Sequence, residues 1–189
     1  MDEAKIWRKK INLHTVKVES PTSVRNSEIN KFQLKLIERT SKHRITMLNE
    51  TLKNFGYPET VVKEYGHWAL FYRQRQVTLG SLILLCKDEV DAFSKISEQS
   101  FAELPNIIKE VETKLKSLFQ NDKINYLMLM MVDPSVHFHI IPRYASDKTF
   151  TATVFKDMSW PRKPNTDLVN EIGEDVANKL IETLRRTFN

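Results

Sequence analysis

Polar and apolar residues alternate through Ser135-Val136-His137-Phe138-His139-Ile140, and Ile141-Pro142-Arg143 follow. In a β-strand, successive side chains point to opposite faces. Ser135, His137 and His139 therefore share one face, and Val136, Phe138 and Ile140 share the other. A neutral imidazole is a good nucleophile at phosphorus, and its ordinary pKa near ~6.5 leaves it mostly neutral at pH 7. Two positions apart on a strand, the two rings start from Cβ atoms roughly 6.5–7 Å apart, close enough to touch one phosphoryl group. His137 is central to any site on this face. Ser135 supplies a hydroxyl there but no imidazolium. Arg143 falls on the same parity and can meet a phosphate, with Pro142 as a break in the alternation. The same His-x-His pair is also a two-ligand start for zinc or iron, and that alternative needs a third ligand.

The elements around this strand follow from pattern. Asp133-Pro134 signals a turn, and Ile124 to Val132 reads as the partner strand of a hairpin. Thr60 to Glu64, Trp68 to Arg73 and Leu79 to Cys86 read as strands, the last a nearly unbroken apolar run of the kind covered on both faces. The polar turn Arg73-Gln74-Arg75-Gln76 between them is placed near the site. A helix is expected from Ser97, with Phe101, Leu104, Ile108, Val111, Leu115 and Leu118 as its apolar stripe and Pro105 as a kink or restart. Residues 149–155 read as a strand or extended loop. Thr166 is expected to cap a last helix whose apolar face is Leu168, Ile172, Val176, Leu180 and Leu184.

The N-terminal part reads differently. Ser27 is a helix cap, and Ile29, Phe32, Leu36, Ile45, Leu48, Leu52 and Phe55 recur at helical spacing up to Gly56 and Pro58. A short strand at 15–19 is the only other regular element expected there. The sequence thus divides into an N-terminal, mainly helical extension over residues 1–59 and an α+β domain over residues 60–189. Such an apolar stripe must cover something, so the extension is read as a packing element.

The chain has 189 residues and a net charge of +5. Residues 1–60 hold 12 Lys/Arg against 7 Asp/Glu, and the remainder holds 17 of each. The surplus is spread thinly and lacks the aromatic interleaving of a nucleic-acid module, so no nucleic-acid partner is expected. Four glycines leave no phosphate-binding Gly-rich loop. One cysteine, Cys86, excludes a disulfide frame and a cysteine-based zinc site. No apolar run reaches the roughly 18–20 residues of a membrane span, and the first residues lack a signal-peptide core. A cytoplasmic protein without a membrane partner is expected.

At Ser135-x-His137-x-His139-x-x-Pro142-Arg143 the chain resembles the histidine-triad (HIT) proteins, which carry three alternating histidines on a strand. Residues from about Trp68 to Trp160 look like the bacterial diadenosine-polyphosphate-hydrolase branch, including Thr78-Leu79-Gly80 and Phe155 to Pro161. Two positions depart from the pattern. Ser135 stands for the first histidine, and Met130-Met131 stand for a Gly-Asn pair. The resemblance implies a HIT-like antiparallel sheet with helices and a homodimer. It implies attack by His137 on the α-phosphorus of a nucleotide, a nucleotidyl-histidine, and release of the monophosphate by water. His139, Ser135 and Arg143 would bind the substrate. No cofactor or resident metal is required, beyond a divalent cation accompanying the nucleotide. The alternative is a HIT-like protein that binds nucleotides without turning them over.

Overall fold

The computed structural model describes residue 42 and residues 48–189 of the chain. The strand expected at 15–19, the helix from Glu28, the apolar positions Ile29, Phe32, Leu36 and Ile45, and His14 and His43 lie outside the described residues. Described residues of the extension are helical over 48–54.

Five strands make one antiparallel sheet: β1 (Val61–Glu64), β2 (Trp68–Tyr72), β3 (Leu82–Cys86), β4 (Lys123–Leu127) and β5 (His137–Arg143), in the order β1-β2-β3-β5-β4. β6 (Lys148–Phe150) and β7 (Thr153–Phe155) form a separate hairpin. The helices are α1 (Glu98–Phe119) and α2 (Glu174–Phe188), with a short 3-10 turn over Phe93–Lys95. This is the expected α+β class.

Register sorts the sheet into two faces. Trp68, Leu70 and Tyr72 pair with Cys86, Leu84 and Leu82, and Leu84 and Leu82 pair with Phe138 and Ile140. These residues join one core with Leu104, Ile107, Val111, Leu115 and Phe119 of α1. Each such burial contributes about 1.5–3 kcal/mol before chain entropy is counted. The other face carries Ala69 and Phe71 beside Leu85 and Ile83, and these beside His137 and His139. β2 and β3 are buried along their whole lengths, as expected of strands covered on both sides.

Ser97 caps α1 by accepting from the Ser100 N–H, and Asp88 accepts from both Ser97 N–H and the Ser100 hydroxyl. The helix runs through Pro105 without a restart. Its buried stripe contains Ile107 and Phe119 where Ile108 and Leu118 were expected, and Phe101 is 42% exposed. Gly80 explains why Phe119 can sit so deep. Its φ is +77°, and a Cβ there would lie 2.6 Å from the Phe119 ring.

Two expected boundaries move. β4 ends at Leu127, so the strand expected up to Val132 is about half as long. The apolar run after it leaves the sheet, and Leu129, Met131 and Val132 are exposed. The last helix begins at Glu174 after Gly173, so Thr166 does not cap it and Leu168 is not on its face. Asn170 accounts for the delay. Its side-chain amide accepts from the Lys156 N–H and donates to the Val77 carbonyl, and its own N–H donates to the Gln76 carbonyl. These bonds hold 165–172 against the domain in a non-helical path. Beyond it, Leu180, Leu184 and Phe188 are buried, and Arg185 donates to the carbonyls of Val61 and Glu59, fixing α2 to β1.

Candidate functional site

β5 positions the two histidines by pairing with β3 on one side and β4 on the other. The His137 Nδ1 atom lies 2.7 Å from the Ser135 carbonyl oxygen. A carbonyl only accepts, so Nδ1 carries the proton and Nε2 keeps a free lone pair. That Nε2 lies 3.3 Å from the His139 Nε2. The lone pair on His137 assigns the proton on that side to His139 Nε2. His139 Nδ1 is then a bare acceptor, and it is buried without a hydrogen-bond partner. Burial lowers the His137 pKa, opposed by the Ser135 carbonyl and the Asp133 carboxylate. Burial also pushes His139 down to about 4, helped by repulsion from His137 once that ring is protonated and from the Arg73 cation. Both rings are held neutral at pH 7.

The polar face of β5 is covered. His137 is 0% exposed and Ser135 2%. The cover comes from residues 48–55. The Thr51 hydroxyl donates to Ser135 Oγ at 3.1 Å, and the Phe55 ring stands edge-on to His137 at 5.1 Å between centroids. Asn54 donates to Asp133 at 2.8 Å, tying the end of the helical segment to the turn before β5. A cleft of about 420 Å³ lies at the β4 edge between Leu127, Leu129 and residues 163–166, with neither histidine in its wall.

Ser135, His137 and His139 are thus brought together. Arg143 has been drawn elsewhere. Its Nε lies 2.6 Å from Asp157, and it also donates to Asp157 Oδ1, Asn125 Oδ1 and the Arg162 carbonyl. Its ring neighbour is Trp160, 5.9 Å away. The contact with phosphate expected of Arg143 finds those donors already engaged, and the residue is 3% exposed. Asp157 also accepts from the Tyr144 and Ser159 N–H groups, so it anchors the segment after β7 to the end of β5. Among the described residues no group of three or more His, Cys, Asp or Glu side chains gathers as a metal site. No helix among them is long and apolar enough to cross a membrane.

Residues 54–146 match the HIT domain. Over this stretch the chain is similar to HIT proteins. Solved structures show the same fold. A histidine triad protein from Sinorhizobium meliloti is 17% identical with a TM-score of 0.57, covering 73% of this chain and 93% of that one. One from Bradyrhizobium japonicum is 21% identical with a TM-score of 0.53, covering 68% and 89%. A hypothetical histidine triad nucleotide-binding protein from Sulfolobus tokodaii is 20% identical with a TM-score of 0.53, covering 73% and 89%. No curated protein matches the chain in sequence. The matched stretch begins at Asn54, so Phe55 lies inside it and Thr51 just before it. Sequence reasoning put Phe55 on an apolar helical face and gave Thr51 no role. Spacing alone carries no sign that either covers the histidines, because 84 residues separate Thr51 from Ser135.

Proposed function

We propose that the chain is a nucleotide phosphoanhydride hydrolase or nucleotidyl transferase acting through a nucleotidyl-histidine at His137, like the bacterial diadenosine-polyphosphate hydrolases. The observation that carries this reading is the anchored ring of His137, with Nδ1 on the Ser135 carbonyl and the Nε2 lone pair turned to the His139 Nε2–H. In the first step Nε2 forms a bond to the α-phosphorus while the bond to the bridging oxygen breaks, and the leaving phosphate takes that electron pair. His139 Nε2–H turns from His137 to a non-bridging oxygen. In the second step water attacks the same phosphorus and gives up a proton to solvent, the N–P bond breaks, and the electron pair returns to Nε2. Ser135 accepts from Thr51, so its own hydroxyl proton is left to donate to the phosphoryl group. Residues 48–55 must move aside for substrate to reach Nε2. The protein is read as a cytoplasmic homodimer with no resident cofactor, acting on small nucleotides.

A second reading is nucleotide binding without turnover. The cover over His137 and the hydroxyl at position 135 favour it. One experiment separates the two. The full chain is incubated with α-labelled dinucleoside polyphosphate, with and without chelator, and quenched in alkaline denaturant. Turnover is expected with label on His137 as an acid-labile phosphoramidate. His137→Asn is expected to lose turnover by roughly three orders of magnitude or more. Label elsewhere, or full activity in His137→Asn, overturns the mechanism. Tight binding with neither label nor turnover selects the second reading.

A further inference from the structure

Arg73 follows β2 directly, and its N–H still donates to the Ser81 carbonyl at 3.1 Å, extending the β2–β3 pairing by one residue. Alternation then places it on the face of Phe71, Ile83 and His139, opposite the face packed on α1. One terminal nitrogen of its guanidinium donates to the Arg75 carbonyl. Its Nε–H is buried and meets no acceptor. His139 Nδ1, on the same face, is also buried and unpartnered. Buried polar atoms without partners are rare, and they mark places where a water or ligand belongs.

The charge on this face makes the same point. Both histidines are neutral. Arg143 is committed to Asp157. Among the described residues Arg73 has no carboxylate partner. Burial, then its neighbour Arg75, pushes its guanidinium down to about 10, so it remains a cation at pH 7. Its charge reaches His139. Arg73 is half-buried, and a cation whose Nε–H is shut from water without a counter-ion favours an anion beside it. A guanidinium presents several N–H donors in a planar fork, which suits phosphate oxygens.

We infer that Arg73 is an anion-reading residue of this site, the side chain that holds the second phosphate of the phosphoanhydride beyond the one His137 attacks. This rests on the nucleotidyl-transfer reading for the first phosphate, and the test keeps the two apart. Inorganic phosphate and inorganic pyrophosphate are titrated by calorimetry into the full chain, wild type and Arg73→Gln, with Arg73→Lys as a second variant. Thermal melts check that the variants fold. Wild type is expected to prefer pyrophosphate by about ten-fold or more, the size of one charge-assisted contact. Arg73→Gln should lose the preference, and Arg73→Lys should recover part of it through charge alone. If wild type shows no preference, or if Arg73→Gln keeps it, the Arg73 inference is overturned, and label on His137 would still uphold the nucleotidyl reading. If the preference depends on Arg73 but no nucleotide labels His137, the anion site stands and the nucleotidyl reading falls.

Discussion

The two ends of Ser135 have different duties. Its carbonyl holds His137 Nδ1, and its Oγ receives the Thr51 hydroxyl. The first is a backbone contact that any residue at 135 can make. The second fits only a small side chain, because position 135 is 2% exposed. Ser135→His, which by motif would restore three histidines, introduces a ring where no space exists. It is expected to destabilise the fold by about 1–3 kcal/mol, as overpacking does, measured by denaturant unfolding. Ser135→Ala keeps the carbonyl and removes only the Thr51 bond, so its cost should stay near ~1 kcal/mol with the His137 ring unmoved. The histidine pair was legible in the sequence because strand parity is local. The tautomer was not, because it depends on which atom of Ser135 faces the ring.

Residues 48–55 act on the site as an element. Phe55 touches both His137 and Phe71, at centroid distances of 5.1 and 6.1 Å, and Thr51 and Asn54 fasten the chain just before it. Phe55→Ala should open a path to His137 and cost about 3–5 kcal/mol of stability. Phe55→Leu, which keeps most of the volume, separates exposure from unfolding. Diethyl pyrocarbonate modification followed by peptide mapping reads the exposure, and His137 should react faster in both variants, more so in Phe55→Ala. Equal rates in all three proteins would mean that the segment does not gate the histidines. The segment after β7 is fastened in a different way. Arg143 and Asp157 are almost wholly buried, and removing one partner leaves the other charge stranded. Asp157→Asn should therefore cost about 3–5 kcal/mol, seen as a lower denaturant midpoint. Helices α1 and α2 were legible because their apolar stripes repeat. The start of α2 was not, since Asn170 reaches back 94 residues to Gln76 and no local pattern records that bond. The same holds for Arg143, whose partner follows it by 14 residues in the segment after β7.

At the scale of the whole molecule the buried histidines couple stability to pH. The sheet was legible because β2 and β3 are continuous apolar runs, and such runs require a layer on each side. The identity of the second layer was not, because an apolar stripe at 48–55 fits any apolar partner. Partial burial, with His137 and Arg73 nearby, holds the His139 pKa at about 4. In the unfolded chain the same ring titrates near ~6.5. Between those values the unfolded state binds more protons, so stability rises with pH there and falls as pH is lowered. The contribution is complete above about pH 6.5 and lost progressively toward pH 4. His139 is partly exposed, so its share is on the order of 1–2 kcal/mol after solvent screening is allowed for. His137 shifts in the same direction and adds to the slope. Unfolding midpoints measured from pH 8 to pH 4 should therefore stay level at first and decline below about 6.5. His139→Gln removes the titrating group and should flatten part of that decline, even if its midpoint at pH 8 is lower. A variant whose midpoint tracks wild type in parallel across this range would show that His139 is open to solvent in the folded protein, and the covered face would have to be redrawn.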